Sequence, residues 1–112
     1  METLRQKQSR FASMVPRLID KAMEMGYEVT LGDAYRDPRT HGDMGVFKGY
    51  GNAGSCHKLR LAIDLNLFKD GKFLSSTEDH RSLGEWWKKQ GGSWGGDFED
   101  GNHYSLSHEG HK

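Results

Sequence analysis

One cysteine, Cys56, and two prolines are all that 112 residues contain of either type. A lone thiol closes no internal disulfide, so the fold is not stapled and no oxidising compartment is required. Core packing or a bound metal has to hold it together. Net charge is absent as well, with 16 basic residues balancing 16 acidic ones. A surface whose main business is neutralising phosphates needs a basic surplus, so nucleic acid is not an expected partner. No apolar run approaches the ~18 residues of a spanning helix, and the first ten residues lack the apolar stretch of a secretion signal. The expectation is therefore no membrane insertion and no export by a signal peptide. Leu, Ile, Val and Phe make up about 18% of the chain, under the ~20% at which disorder becomes an issue. Zero net charge, three Trp and four Tyr argue against disorder. One domain over residues 1–112 is expected, with its core at about 4–106 and a polar C-terminal tail.

Leu4, Phe11, Val15, Leu18 and Ala22 recur at helical steps, predicting a helix from Leu4 to Met25 that ends at Gly26. Pro16, inside that pattern, is expected to kink the helix or divide it near Met14. Tyr27 to Leu31 reads as a short strand, and Gly32 to Gly54 as a long loop of the kind that carries function. The clearest strand is predicted from Leu59 to Phe68, where Leu59, Leu61, Ile63, Leu65 and Leu67 alternate with Arg60, Ala62, Asp64 and Asn66. Asp70-Gly71 is a hairpin turn leading to Phe73 and Leu74. A second helix is expected from Glu78 to Gln90, capped from Ser75, Ser76 or Thr77 and burying Leu83 and one or both of Trp86 and Trp87. A turn at Asp100-Gly101 precedes a last strand from His103 to Leu106. The order predicts an α+β fold: a small, largely antiparallel sheet packed by two main helices.

The chemistry lies on the second face of the central strand. Asp64 projects there beside the small Ala62, His57 precedes the strand and is able to fold back over it, and His103 is the best-placed third group. Two imidazoles and a carboxylate leave a tetrahedral zinc ion one open position, the composition of a catalytic site, and such an ion suits amide hydrolysis. Spacing alone leaves other readings open. A histidine near a carboxylate is often a surface or core residue, which is the reading adopted for His41, His80, His108 and His111. A non-haem iron uses the same ligand types, though usually at a shorter His-x-Asp spacing. Cys56 beside His57 invites a cysteine-nucleophile reading, but neighbours in extended chain point to opposite sides. Asp100-Gly101-Asn102-His103 bears a faint likeness to metal-dependent nucleases, which the neutral composition opposes.

The segment Ser55-Cys-His57-Lys-Leu-Arg60-Leu-Ala62-Ile-Asp64 resembles the Ser-x-His-x-x-x-x-Ala-x-Asp signature of zinc D-Ala-D-Ala carboxypeptidases, dipeptidases and L-alanyl-D-glutamate peptidases. Trp94-Gly95-Gly96-Asp97-Phe98-Glu99-Asp100-Gly101-Asn102-His103 is similar to the C-terminal segment of bacteriophage endolysins of that group, and Tyr35-Arg36 to its Tyr-Arg segment. The likeness covers about Phe11 to Tyr104. Many relatives have Gly where this chain has Arg60.

The resemblance implies a Hedgehog/DD-peptidase-like fold and one Zn2+ ion held by His57, Asp64 and His103. It implies Asp100 as general base, Arg36 as oxyanion stabiliser, and Ser55 and Tyr35 as substrate-binding residues. Asp100 reaches the metal only if the Gly101 turn brings it round, because a residue three back on a regular strand faces away. The implied activity is a zinc metallopeptidase cutting the peptidoglycan stem peptide between L-Ala and D-Glu, as a phage endolysin. The alternatives are a D-Ala-D-Ala carboxypeptidase or dipeptidase, and a noncatalytic zinc-binding module. Residues 42–54 are expected to shape the cleft that separates the peptidases. The endolysin reading places a monomer in the host cytoplasm during infection, acting on periplasmic peptidoglycan after the inner membrane is permeabilised.

Overall fold

The structure, a computed structural model, describes residues 1–45 and 54–112. The expectation that residues 42–54 shape the cleft falls largely on 46–53, outside the described residues.

Helix α1 spans Leu4–Glu24 and opens with a capping box in which Thr3 and Gln6 each accept the other's backbone N–H. Phe11, Met14, Leu18 and Ala22 form its buried stripe. It closes as the sequence predicts: Gly26 takes φ 95°, its N–H donates to Met23, and Tyr27 N–H donates to Ala22, a Schellman motif. The division expected at Pro16 does not occur, and the helix runs through that residue. Pro16 and Ala12, whose carbonyl loses its amide donor, are both exposed residues, a setting in which solvent can replace the missing bond.

Five antiparallel strands form the sheet: β1 (Glu28–Leu31), β2 (Ala62–Lys69), β3 (Lys72–Leu74), β4 (Ser93–Trp94) and β5 (His103–Ser105). The order is β1-β2-β5-β4, with β3 also paired to β2. Asp70 and Gly71, at φ 52° and 77°, make the two-residue hairpin between β2 and β3. A short helical turn, α2 (Pro38–His41), follows β1. The predicted early start of the central strand is corrected: Cys56–Leu59 is a 3-10 turn, Arg60 is left-handed, and β2 begins at Ala62. Leu61 is fully buried and Leu59 packs against the core, so apolar alternation runs on through a segment that is not strand.

The second helix also differs in detail. Glu78–His80 is a 3-10 turn capped reciprocally by Ser76 and Asp79, and helix α3 is Arg81–Lys89. Of the two tryptophans Trp87 is fully buried, its indole N–H donating to the carbonyls of Ser93 and Ser105. Ile63, Leu65, Leu67 and Tyr104 turn one sheet face towards α1 and α3, leaving Asp64 and His103 on the other. Among the described residues no helix is long and apolar enough to cross a membrane. The polar tail is tied down, since Cys56 N–H donates to the Lys112 carbonyl and His108 pairs with His111.

Candidate metal centre

Asp64 and His103 are direct partners in the antiparallel register of β2 and β5. Asp64 turns its backbone groups to the opposite edge, where its N–H donates to Asp33 and its carbonyl accepts from Gly32, both at 2.8 Å. Facing β5 it therefore forms the non-hydrogen-bonded type of pair, in which two side chains on one face stand closest. His57 comes from the 3-10 turn rather than a strand. Ser55 Oγ accepts the His57 N–H at 3.2 Å and caps that turn, while Arg36 N–H donates to the His57 carbonyl at 3.1 Å. The imidazole is fully buried.

The result is a convergence of acceptors. His57 Nδ1 lies 3.0 Å from the Ala34 carbonyl and must carry the hydrogen there, which leaves Nε2 as the bare nitrogen of the neutral ring. That nitrogen stands 3.0 Å from Asp64 Oδ1 and 3.2 Å from His103 Nδ1, and the third separation, His103 Nδ1 to Asp64 Oδ1, is 3.6 Å. Four ligands at zinc distances sit about 3.4 Å apart in a tetrahedron, so the triangle has the right size for one such ion. Two imidazoles and a carboxylate at these spacings need positive charge among them. Residues of these types at these positions thus fit zinc on geometry and on donor set. Burial pushes the Asp64 carboxyl up, but where protons rather than a metal fill the triangle, hydrogen bonds from the His103 and His57 imidazoles outweigh it and bring the group to about 2. His103 Nε2 has no hydrogen-bond partner among the described residues, so strand pairing and the Phe98 ring, packed edge-to-face with centroids 5.4 Å apart, orient this imidazole.

Asp100 does come round. Glu99 adopts φ 60°, Asp100 N–H donates to Gly95, and His103 N–H donates back to Asp100. The Asp100 carboxylate ends 3.9 Å from His103 Nδ1 and stays half exposed. Two features hold that turn. The buried Trp94 indole donates to the Gly101 carbonyl at 2.7 Å. A β-carbon on Gly95 would strike the Asp100 carbonyl oxygen and stand 2.6 Å from His103 Cβ, so only glycine allows this approach. Sequence reasoning assigned no role to Gly95, Asp33 or Ala34. The Trp-Gly-Gly run was a visible signal for the first, and nothing local marks the other two.

Arg36 is buried beside the triangle, with Nη2 3.9 Å from Asp64 Oδ2 and Nε 3.6 Å from Asp33 Oδ2. Tyr35 is exposed at the rim with the Arg60 guanidinium 4.0 Å from its ring centroid. Ser55 is buried, and its observed contact is the cap on His57. Beyond Asp100 a groove of about 190 Å³ runs past Asn66, Phe73, Thr77, Glu99 and Asn102.

The remaining candidates stay apart. Cys56 is fully buried, its thiol donates to the Leu106 carbonyl, and burial pushes it up to about 11, which removes the nucleophile reading. His80 is a core residue sharing a 2.7 Å hydrogen bond with the Tyr104 hydroxyl. His108 and His111 belong to the tail, and the side chain of His41 lies outside the described residues.

A family profile described as D-alanyl-D-alanine carboxypeptidase matches residues 48–106, just over half of the chain, and that span holds His57, Asp64, Asp100 and His103. A search of curated proteins finds no match.

Proposed function

Because the chain belongs to the D-alanyl-D-alanine carboxypeptidase family, a family of zinc-dependent metallopeptidases, we propose that it hydrolyses the peptidoglycan stem peptide between L-Ala and D-Glu as a phage endolysin. The observation that carries the hydrolase reading is the triangle of His57, Asp64 and His103 with a free carboxylate, Asp100, at its open side. His57, Asp64 and His103 would hold the zinc ion, which would supply a Lewis acid for the scissile carbonyl and the attacking water. Asp100 takes the proton of the attacking water and delivers it to the leaving amine. Arg36 keeps a guanidinium beside Asp64, and its positive charge at the centre would stabilise the tetrahedral intermediate as it becomes negative.

The groove beyond Asp100 supports the endopeptidase over the carboxypeptidase. Asp100 serves the leaving amine, so the groove beside it takes whatever follows the scissile bond. In the L-Ala–D-Glu reading D-Glu and the residues after it extend into that space, whereas a carboxypeptidase would place a single D-Ala there. The endolysin assignment, with action on peptidoglycan from the host cytoplasm once the inner membrane is permeabilised, is supported by the likeness of the 94–103 segment to phage enzymes.

The test is mass spectrometry of sacculi digested with the zinc-loaded protein. Stem peptides released with a new N-terminal D-Glu, and L-Ala retained on muramic acid, are the expected products. Loss of terminal D-Ala without peptide release would overturn the endopeptidase in favour of the carboxypeptidase.

A further inference from the structure

Arg60 closes the 3-10 turn that carries His57, and it does so at φ 57°, ψ 34°. Glycine adopts that left-handed conformation freely and a side chain does not, so the position gains nothing locally from arginine. The guanidinium lies 4.0 Å from the centroid of the exposed Tyr35 ring. A guanidinium stacked on a ring face keeps the N–H donors of its edge directed outward. No ion pair involves Arg60 among the described residues. The acid of the adjoining segment, Asp37, is held by Arg39 at 2.6 and 2.9 Å.

The stack also joins the two segments that build the metal centre. Tyr35 sits between Ala34, whose carbonyl fixes the His57 tautomer, and Arg36, which reaches Asp64, and Arg60 N–H donates to the His57 carbonyl at 3.3 Å. The groove beyond Asp100 has the opposite character, being lined by Glu99 and Asp100 with no lysine or arginine among its lining residues, so an anion is repelled there.

We propose that Arg60 is a substrate-binding residue that takes a carboxylate of the wall peptide, the α-carboxylate of D-Glu. This rests on the L-Ala–D-Glu reading above. Tyr35 holds the guanidinium over its exposed ring, and the N–H groups left outward meet the carboxylate in the bidentate geometry that arginine favours.

Calorimetric binding of γ-D-glutamyl-lysine and of its α-carboxamide to the zinc-loaded protein tests this without turnover. The carboxylate form is expected to bind about tenfold more tightly. Arg60→Gly is expected to abolish that preference with melting essentially unchanged, since glycine suits the backbone angle, and Arg60→Lys to keep part of it. Equal affinities in the unaltered protein, no binding of either peptide, or a preference that survives in Arg60→Gly would each overturn the assignment. Survival of the preference together with a drop in melting would make the stack purely structural. A sacculus digest that yields only free D-Ala refutes the endopeptidase reading, while the binding difference reports on Arg60 separately.

Discussion

Asp64 and His103 stand on paired strands, while His57 and Asp100 stand on turns. The strand pair needs little help. Register places the two side chains opposite each other on one face, and the same ladder bonds that make the sheet hold them. Each turn-borne residue depends on a set of local devices: the Ser55 cap and the Ala34 carbonyl for His57, and Gly95, Trp94 and the left-handed Glu99 for Asp100. The site is thus half scaffold and half strung on loops. Damage to the strand pair should cost the metal, whereas damage to the turns should first cost the placement of the base or the tuning of a ligand.

The sharpest way to break that contrast is to remove one residue of each kind. Asp64→Ala should abolish zinc binding and activity together and lower melting, because bound metal adds to the stability of a small domain. Asp100→Ala should keep one zinc per chain and lose about 10²–10⁴-fold in kcat. Metal analysis beside stem-peptide turnover reads both, and undiminished turnover by the Asp100 variant would end its assignment as base. Next in size is Gly95→Ala. Its added methyl has backbone on one side and His103 on the other, so a loss of about 3 kcal/mol is expected in denaturant unfolding of the zinc-loaded protein. The smallest effect belongs to Ser55→Ala, where loss of the turn cap costs about 1 kcal/mol. Because the cap bonds to His57 itself, zinc affinity should fall about 10-fold in a competition titration with a chelator. Equal zinc affinity in that variant would show that the Ala34 contact alone orients the ring.

Much of the fold was legible. The α1 stripe with its Gly26 stop, the Asp70-Gly71 hairpin and the inner face of β2 each follow from local chemistry that needs no distant partner. Pro16 misled because its cost depends on whether the orphaned carbonyl faces water or protein, and here Pro16 and Ala12 are both exposed. The stretch from Leu59 to Leu61 misled for another reason. Burial drives the apolar pattern, and a 3-10 turn over the core buries leucines as well as a strand does. The candidate ligand set was visible as residue types and as a resemblance, yet the pairing of Asp64 with His103 required a strand register that no local window contains.

The amino-acid order by itself determined which side chains are available, the alternation that gives β2 one apolar and one chemical face, and the glycines that allow its turns. Tertiary structure alone decided that nitrogens from positions 57 and 103 and an oxygen from position 64 arrive within 3.6 Å of one another, and that Asp100 swings back beside them. The physical reason is range. Propensity and periodicity act over a few residues, whereas a metal triangle is set by the hydrogen-bond register and packing of segments separated by dozens.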